Sequence, residues 1–310
     1  MRDNDKDAFK RLDVPTYNSN LESPSMENPQ AKWRIEFARQ TARRLVTFTG
    51  IKAIVIAGSV ARDYADEYSD IEIPLFWDSL PTDEIRHAIV AALQADFLYA
   101  YDGPAWEDQL LVNGVQVDLW HITVKDQAAL LEAVLHDHQR DLGSLNALDT
   151  IRASIPLYGG EIVQEWKRRA REYPPELAEK IIRERLDSFG SANLFILARR
   201  DNPTAFHAQL SFLQQEIFLV LLALNRRYFP TFKWLYRALE SMQFKPENID
   251  RRFRRAYEVP CVQALADMRS IQEETLRLVE AQFPQIDTGP VHKRLDYVRA
   301  VRARPPGMYK

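Results

Sequence analysis

Cysteine is almost missing from this chain: Cys261 is the only one among 310 residues. A lone thiol excludes an intrachain disulfide framework and fits a reducing compartment. An excess of charge is missing too. Lys and Arg number 41 against 44 Asp and Glu, a net charge of -3 with a pI near 6.1. No global basic field therefore advertises a nucleic-acid partner. No apolar run approaches the length of a membrane span, and the first residues hold no signal-peptide h-region. These absences lead to the expectation of a soluble, cytoplasmic protein with no membrane partner. Metal-ligand spacing of His and Cys is missing as well. His136 and His138, two apart on a predicted helix, point away from each other, and Cys261 sits in an apolar setting that reads as core.

What is present suffices for two domains, with 46% hydrophobic residues to build their cores. The informative stretch is Ile54-Val55-Ile56-Ala57-Gly58-Ser59-Val60-Ala61-Arg62, followed by Ser69-Asp70-Ile71-Glu72-Ile73. Four apolar residues stop at Gly58-Ser59, as a buried strand stops at a tight turn. A short helix opening at Val60 would aim its free N–H groups back at that turn, which makes an anion site. On the next strand Asp70 and Glu72 are two positions apart, so both carboxylates leave one face, ~6.6 Å apart at the backbone. Two carboxylates beside a phosphate cradle suit a divalent metal carrying a nucleoside triphosphate. The alternative is an ordinary strand-turn-strand with two solvated acids.

The run Gly58-Ser59-x-Ala61-Arg62 … Ser69-Asp70-x-Glu72 resembles the signature of the DNA polymerase β-type nucleotidyltransferase superfamily, over residues 30 to 125. In plan the chain is similar to the small aminoglycoside and lincosamide nucleotidyltransferases and to uncharacterised bacterial relatives. The resemblance implies that Gly58 and Ser59 hold the triphosphate, with Ser69 and Arg62 as further nucleotide contacts. It implies that Asp70 and Glu72 bind Mg2+, two ions being expected with nucleotide bound, and that a third carboxylate on a later strand completes the site. Glu72 stands where Asp is also common; it is one methylene longer and reaches the same metal.

Asp118 is the candidate for that third carboxylate. Gln109 to Val112, the Asn113-Gly114 dipeptide and Val115 to Thr123 predict a hairpin with a type I′ turn. Val115, Val117 and Leu119 fall on one face, and Gln116, Asp118 and Trp120 on the other. An acid inside Val-Asp-Leu-Trp is costly to bury unpaired, and metal coordination resolves that cost. His121 follows as a neighbour of the site or as a structural residue.

Residues 1–29 read as a polar arm, with Phe9, Leu12 or Tyr17 as pins. Residues 30–125 read as the catalytic domain, with helices over 30–48 and 81–93 and a strand near 97–101. From Lys125 no strand pattern recurs. Helices are expected around 126–139, 162–171, 176–200, 204–227, 231–243, 247–257, 260–283 and 290–303, making 126–310 a helical bundle. The fold class is therefore α+β: a small mixed sheet followed by an all-α domain. Ile217–Leu224 is too short to span a bilayer and reads as a buried core helix.

The resemblance also implies a Lys reaching the triphosphate from the helical domain. Lys233 is the candidate, with Arg226 or Arg227 as substitutes, whereas Phe229, Phe232 and Trp234 read as packing. Arg251, Arg252, Arg254 and Arg255 form a cationic cluster, read as a solvated helix face with RNA or phosphate binding as the alternative. The expected reaction is transfer of a nucleoside monophosphate from an NTP, with ATP the expected donor, to a hydroxyl of a small molecule such as an antibiotic, with release of pyrophosphate. Nucleotidylation of a protein or tRNA, as in toxin- or antitoxin-type relatives, and a non-catalytic nucleotide-binding regulatory module are the alternatives.

Overall fold

The protein is described by a computed structural model covering residues 28–100, 107–190 and 192–297. The predicted arm up to residue 27 lies outside the described residues, as do Tyr101 and the end of the helix expected over 290–303. Helix α1 (Pro29–Leu45) begins where Asn28 accepts a bond from the Gln30 N–H and Pro29 pre-sets the first turn. Its buried stripe of Ala31, Ile35, Ala38, Ala42 and Leu45 follows helical spacing. Strand β1 (Ile51–Ile56) leads to the one-turn helix α2 (Gly58–Ala61) and to β2 (Ile71–Trp77). Helix α3 (Asp83–Leu93) is capped by Thr82. Strands β3 (Ala95–Ala100), β4 (Glu107–Val112) and β5 (Val115–Thr123) follow. Asn113 and Gly114 both have positive φ, 49° and 79°, as the predicted two-residue turn requires.

The six-stranded sheet has the order β3-β4-β5-β2-β1-β6, and only β2 and β5 run parallel. Its edge strand β6 (Ile155–Tyr158) arrives after helices α4 (Val124–Leu135) and α5 (Leu142–Ala153). The expectation that no strand follows Lys125 is thus corrected: Val55 pairs with Pro156, and Ile56 with Ile155. Four residues that include a proline leave no readable alternation, and Pro156 is tolerated because β6 is an edge. Helix α5 was also unexpected, since Gly143, Ser144, Asn146, Asp149 and Thr150 are weak helix formers. Its start is fixed by Asp141, which accepts from the Ser144 N–H at 2.9 Å.

The rest is helical, as expected: α6 (Gly160–Ala170), α7 (Pro175–Leu186), α8 (Ala192–Arg199), α9 (Pro203–Leu224), a 3-10 turn over Phe232–Trp234, α10 (Leu235–Glu240), α11 (Ile249–Arg255), α12 (Cys261–Gln282) and α13 (Gly289–Asp296). The single helix expected over 176–200 is two. By length and composition α9 passes for a membrane span, yet Glu216 to Leu224 are all buried, so it is a core helix.

The two faces of the sheet meet different partners. Ile71, Ile73, Leu75 and Trp77 of β2, with Val117 and Leu119 of β5, pack against α1 and α3. Val55 and Phe76 face the large helical core, where the Phe76 ring lies 4.8 Å from that of Trp166. Each such fully buried apolar side chain contributes roughly 1.5–3 kcal/mol. By the same alternation, Glu72 and Asp118 leave the sheet on the helical side.

Candidate active site

The turn after β1 is built around one close contact. Gly58 has φ of 61°, a left-handed value that favours glycine. A Cβ there would also overlap the Glu72 carboxylate, which lies over the turn. The Ala57 N–H donates to the Glu72 carbonyl at 2.9 Å, tying turn to strand. Ser59 is 2% exposed, and its Oγ has no hydrogen-bond partner among the described residues. Glu72 Oε2 is likewise buried without a partner.

Parallel pairing of β2 with β5 sets Glu72 beside Asp118. Burial, reinforced by the nearby Asp70 charge, raises the Glu72 carboxyl to about 7; Asp118 adds to the rise, while Lys233 and Arg62 oppose it. Burial also raises Asp118, to about 6, with Asp70 and Glu107 adding and a 3.1 Å bond from Gln116 and the charge of Lys233 opposing. Asp70, Glu72, Asp118 and Lys233 are therefore brought into one electrostatic neighbourhood. Lys233 is exposed and comes from the 3-10 turn of the helical half, where Trp234 meets Tyr64 at 5.3 Å between ring centroids. Thr231, just before this turn, has φ of 86°, strained for a β-branched residue.

Other expected contacts are placed differently. Arg62 is held by Asp149 of α5, with Nε and Nη2 at 2.9 and 2.6 Å from Oδ2. It braces the turn against α5, and that pair competes with any role on a phosphate. Ser69 turns its hydroxyl to Asp66 at 3.0 Å, and its carbonyl accepts from Arg34 Nε at 2.9 Å. It shapes the loop that presents Asp70. Arg227 is engaged by the Ala238 carbonyl and Ser241, and Arg226 stacks over Phe283, so neither substitutes for Lys233. Arg252 and Arg255 pair with Glu274 and Asp267, and Arg254 stacks on Tyr236, as befits a helix face. His121 is on the opposite face from Asp118: it accepts from Trp77 and bonds Asp108, so it is structural. His136 and His138 engage Asp137 and Lys180.

Three contributors escaped the sequence reading. Arg34, 3% exposed on α1, sits under the Ser69–Asp70 loop, and Asp66 and Asp70 partly offset its burial. Asp149 holds Arg62, and Gln116 bonds Asp118. Only Gln116 had a visible signal, being two positions from Asp118 on one strand face.

Among the described residues no three His, Cys, Asp or Glu side chains close into a ready ligand set for a metal. The donors nevertheless fit a hard divalent cation. They are all carboxylate oxygens, one of them an orphaned buried oxygen, and two are pushed up by burial and by neighbouring acids, Asp70 above all.

Comparison with known proteins adds little chemistry. Residues 148–235 match a family described as a domain of unknown function (DUF4037), a span from α5 to the start of α10. No curated protein matches the chain. Among solved structures, a nucleotidyltransferase-like protein from Exiguobacterium sibiricum 255-15 is similar at 9% identity, with 81% of each chain covered and a TM-score of 0.37.

Proposed function

We propose that the protein is a Mg2+-dependent nucleotidyltransferase that moves a nucleoside monophosphate from an NTP, ATP first among them, to a hydroxyl of a small acceptor. The observation that carries this reading is the Glu72 carboxylate: enclosed, unpartnered, lying over the Gly58-Ser59 turn, with Asp118 beside it and Asp70 two residues before it. Structural ion pairs satisfy their acids, and this group is left unsatisfied.

Asp70, Glu72 and Asp118 would hold the metal, which when bound neutralises triphosphate charge and polarises the reacting phosphoryl group. The turn N–H groups and the unpartnered Ser59 hydroxyl supply donors for phosphate oxygens. Lys233 supplies a cation from across the cleft. The acceptor oxygen forms its bond to the α-phosphorus as the bond from that phosphorus to the β-phosphate oxygen breaks, and pyrophosphate leaves with the electron pair. If Asp118 is not itself a ligand of the metal, it is the carboxylate that would take the acceptor proton. The pairing of Arg252 and Arg255 with acids, and the net charge of -3, favour a small acceptor over a nucleic acid.

Calorimetry with ATP and Mg2+ tests the reading. Wild type is expected to bind and Asp70→Asn to lose binding while unfolding at an unchanged or higher temperature. Equal binding by the two proteins would overturn the assignment. Pyrophosphate release across a panel of aminoglycosides, lincosamides and other polyols then identifies the acceptor class. A steeply salt-dependent, sub-micromolar gel shift with bulk tRNA would put a macromolecular acceptor first instead.

A further inference from the structure

Away from the acid face, a second group of unsatisfied polar atoms lies where four helical segments meet. Tyr173 is in the link between α6 and α7, and Arg226 and Tyr228 are in the link after α9. The hydroxyls of Tyr173 and Tyr228 and the Nη1 of Arg226 are all buried with no hydrogen-bond partner among the described residues. Tyr228 is 1% exposed, and its ring lies 4.8 Å from that of Tyr173, centroid to centroid, at 31°. The Arg226 guanidinium covers Phe283 at the end of α12, 5.2 Å from the ring centroid. Arg152, near the end of α5, donates to the Arg226 carbonyl at 3.3 Å. Its charge bears on both phenols, and that of Arg226 bears on Tyr173.

Leaving one such group unmade is expensive, and three together ask for a shared partner. The chemistry of the three atoms narrows what it is. A guanidinium N–H donates only, and each phenol has a proton to give. Acids are near but not bonded: Glu172 and Glu176 are exposed, and each is felt by one member of the group. Glu172 is paired with Arg168 at 3.4 Å. Two phenol protons and a guanidinium N–H in an enclosed place call for an acceptor, and the guanidinium favours one carrying negative charge.

We propose that Arg226, Tyr173 and Tyr228 form a binding site for a small oxyanion of the phosphate class, separate from the acid face. The site joins the ends of α5, α6, α9 and α12. Tyr228 is also five residues before Lys233, so an anion here would steady the segment that carries the cross-cleft cation.

The test uses the full chain, inorganic phosphate as probe, and the double variant Tyr173→Phe/Tyr228→Phe, which keeps both rings. Without phosphate the variant is expected to melt at or above the wild-type temperature, because it removes orphaned hydroxyls. Titrated with phosphate at constant ionic strength, wild type is expected to rise in melting temperature and the variant to lose most of that rise. Arg226→Lys, which keeps the charge and loses the fork, is expected to show a reduced rise. Because all three proteins keep Gly58, Ser59 and the three acids, phosphate held at that turn would stabilise them equally, and an equal rise overturns the proposal. Crystals soaked in selenate provide an independent reading through anomalous scattering. A peak among the two phenols and Arg226 supports the site; ordered water there, or a peak at the Gly58-Ser59 turn only, overturns it.

Discussion

Two aspartates on one hairpin show how differently this sheet treats its acids. Asp108 on β4 points to the α1–α3 side, and Asp118 on β5 points to the helical side. Asp108 is 0% exposed and fully engaged. Arg86 reaches it through Nε at 3.1 Å and through Nη2, and His121 Nε2 is 3.0 Å away. The Trp77 indole can only donate, so Nδ1 of His121 accepts from it and Nε2 carries the proton that goes to Asp108. Burial pushes Asp108 up, but the bonds from His121 and Arg86 outweigh it and hold the carboxyl at about 2. Among the described residues Asp118 has only Gln116 within bonding distance; burial raises it to about 6, and Glu72 to about 7. A carboxylate that has its cations is architecture. Carboxylates that are buried near one another without bonded cations carry a cost that a bound cation would relieve.

The largest effect should come from breaking the satisfied side. Asp108→Asn leaves the buried Arg86 guanidinium with only the exposed Asp83 as counter-charge, 3.1 Å away, and is expected to cost about 3 kcal/mol in urea unfolding. Replacing Arg86 and Asp108 together by Met and Leu should cost much less, because no charge is stranded. Wild-type stability in Asp108→Asn would erase the contrast between the two faces. The pH dependence runs the expected way for a lowered acid. The contribution of Asp108 is present above its unfolded value near 3.8 and is lost as pH falls through about 2.

The opposite sign is expected across the sheet. For Glu72 the folded value of about 7 exceeds the ordinary 4.5, so the folded state holds its proton longer than the unfolded state. Metal-free stability should therefore fall as pH rises from 4.5 to 7, by about 3 kcal/mol at most from this group. Glu72→Gln removes the titrating group and should flatten that slope, leaving the variant more stable than wild type at pH 8. It should also lose Mg2+-dependent ATP binding. A metal-free wild type whose melting temperature is flat between pH 4.5 and 7 would show that Glu72 is not held as described.

Much of this arrangement was legible beforehand, for identifiable reasons. The turn at Gly58-Ser59 and the Asn113-Gly114 hairpin follow from local rules of period and turn chemistry, whereas Asp70, expected on the strand with Glu72, lies one residue before β2 (Ile71–Trp77). The turn and the hairpin need no knowledge of what packs where. The misses are of the other kind. Strand β6 is four residues long and exists because β1 offers an edge. The break between α7 and α8 comes at Gly190, whose φ is 159° and whose N–H donates to Gln272 of α12 at 2.8 Å. Arg62 looked like a phosphate ligand because its partner, Asp149, is 87 residues away on a helix the local pattern did not announce. Arg34 had no signal at all, for a buried arginine on an amphipathic helix is recognised only by the carbonyls it meets.

The smallest effect is also the one that joins the halves. Lys233 is exposed, so its contribution should sit at the low end for a charge-assisted bond, about 1.5 kcal/mol or roughly tenfold in affinity. Lys233→Ala should weaken triphosphate binding and leave monophosphate binding nearly unchanged, since the cation meets charge that only the triphosphate carries. Lys233→Arg is not expected to restore the loss, because a planar guanidinium does not replace a compact ammonium. A second readout needs no nucleotide. The ammonium now favours the ionised forms of Glu72 and Asp118, so its removal should move both titrations upward in the metal-free protein. NMR of the carboxyl carbons would follow this directly. If neither the titrations nor the triphosphate affinity move, Lys233 is a solvated side chain of the 3-10 turn.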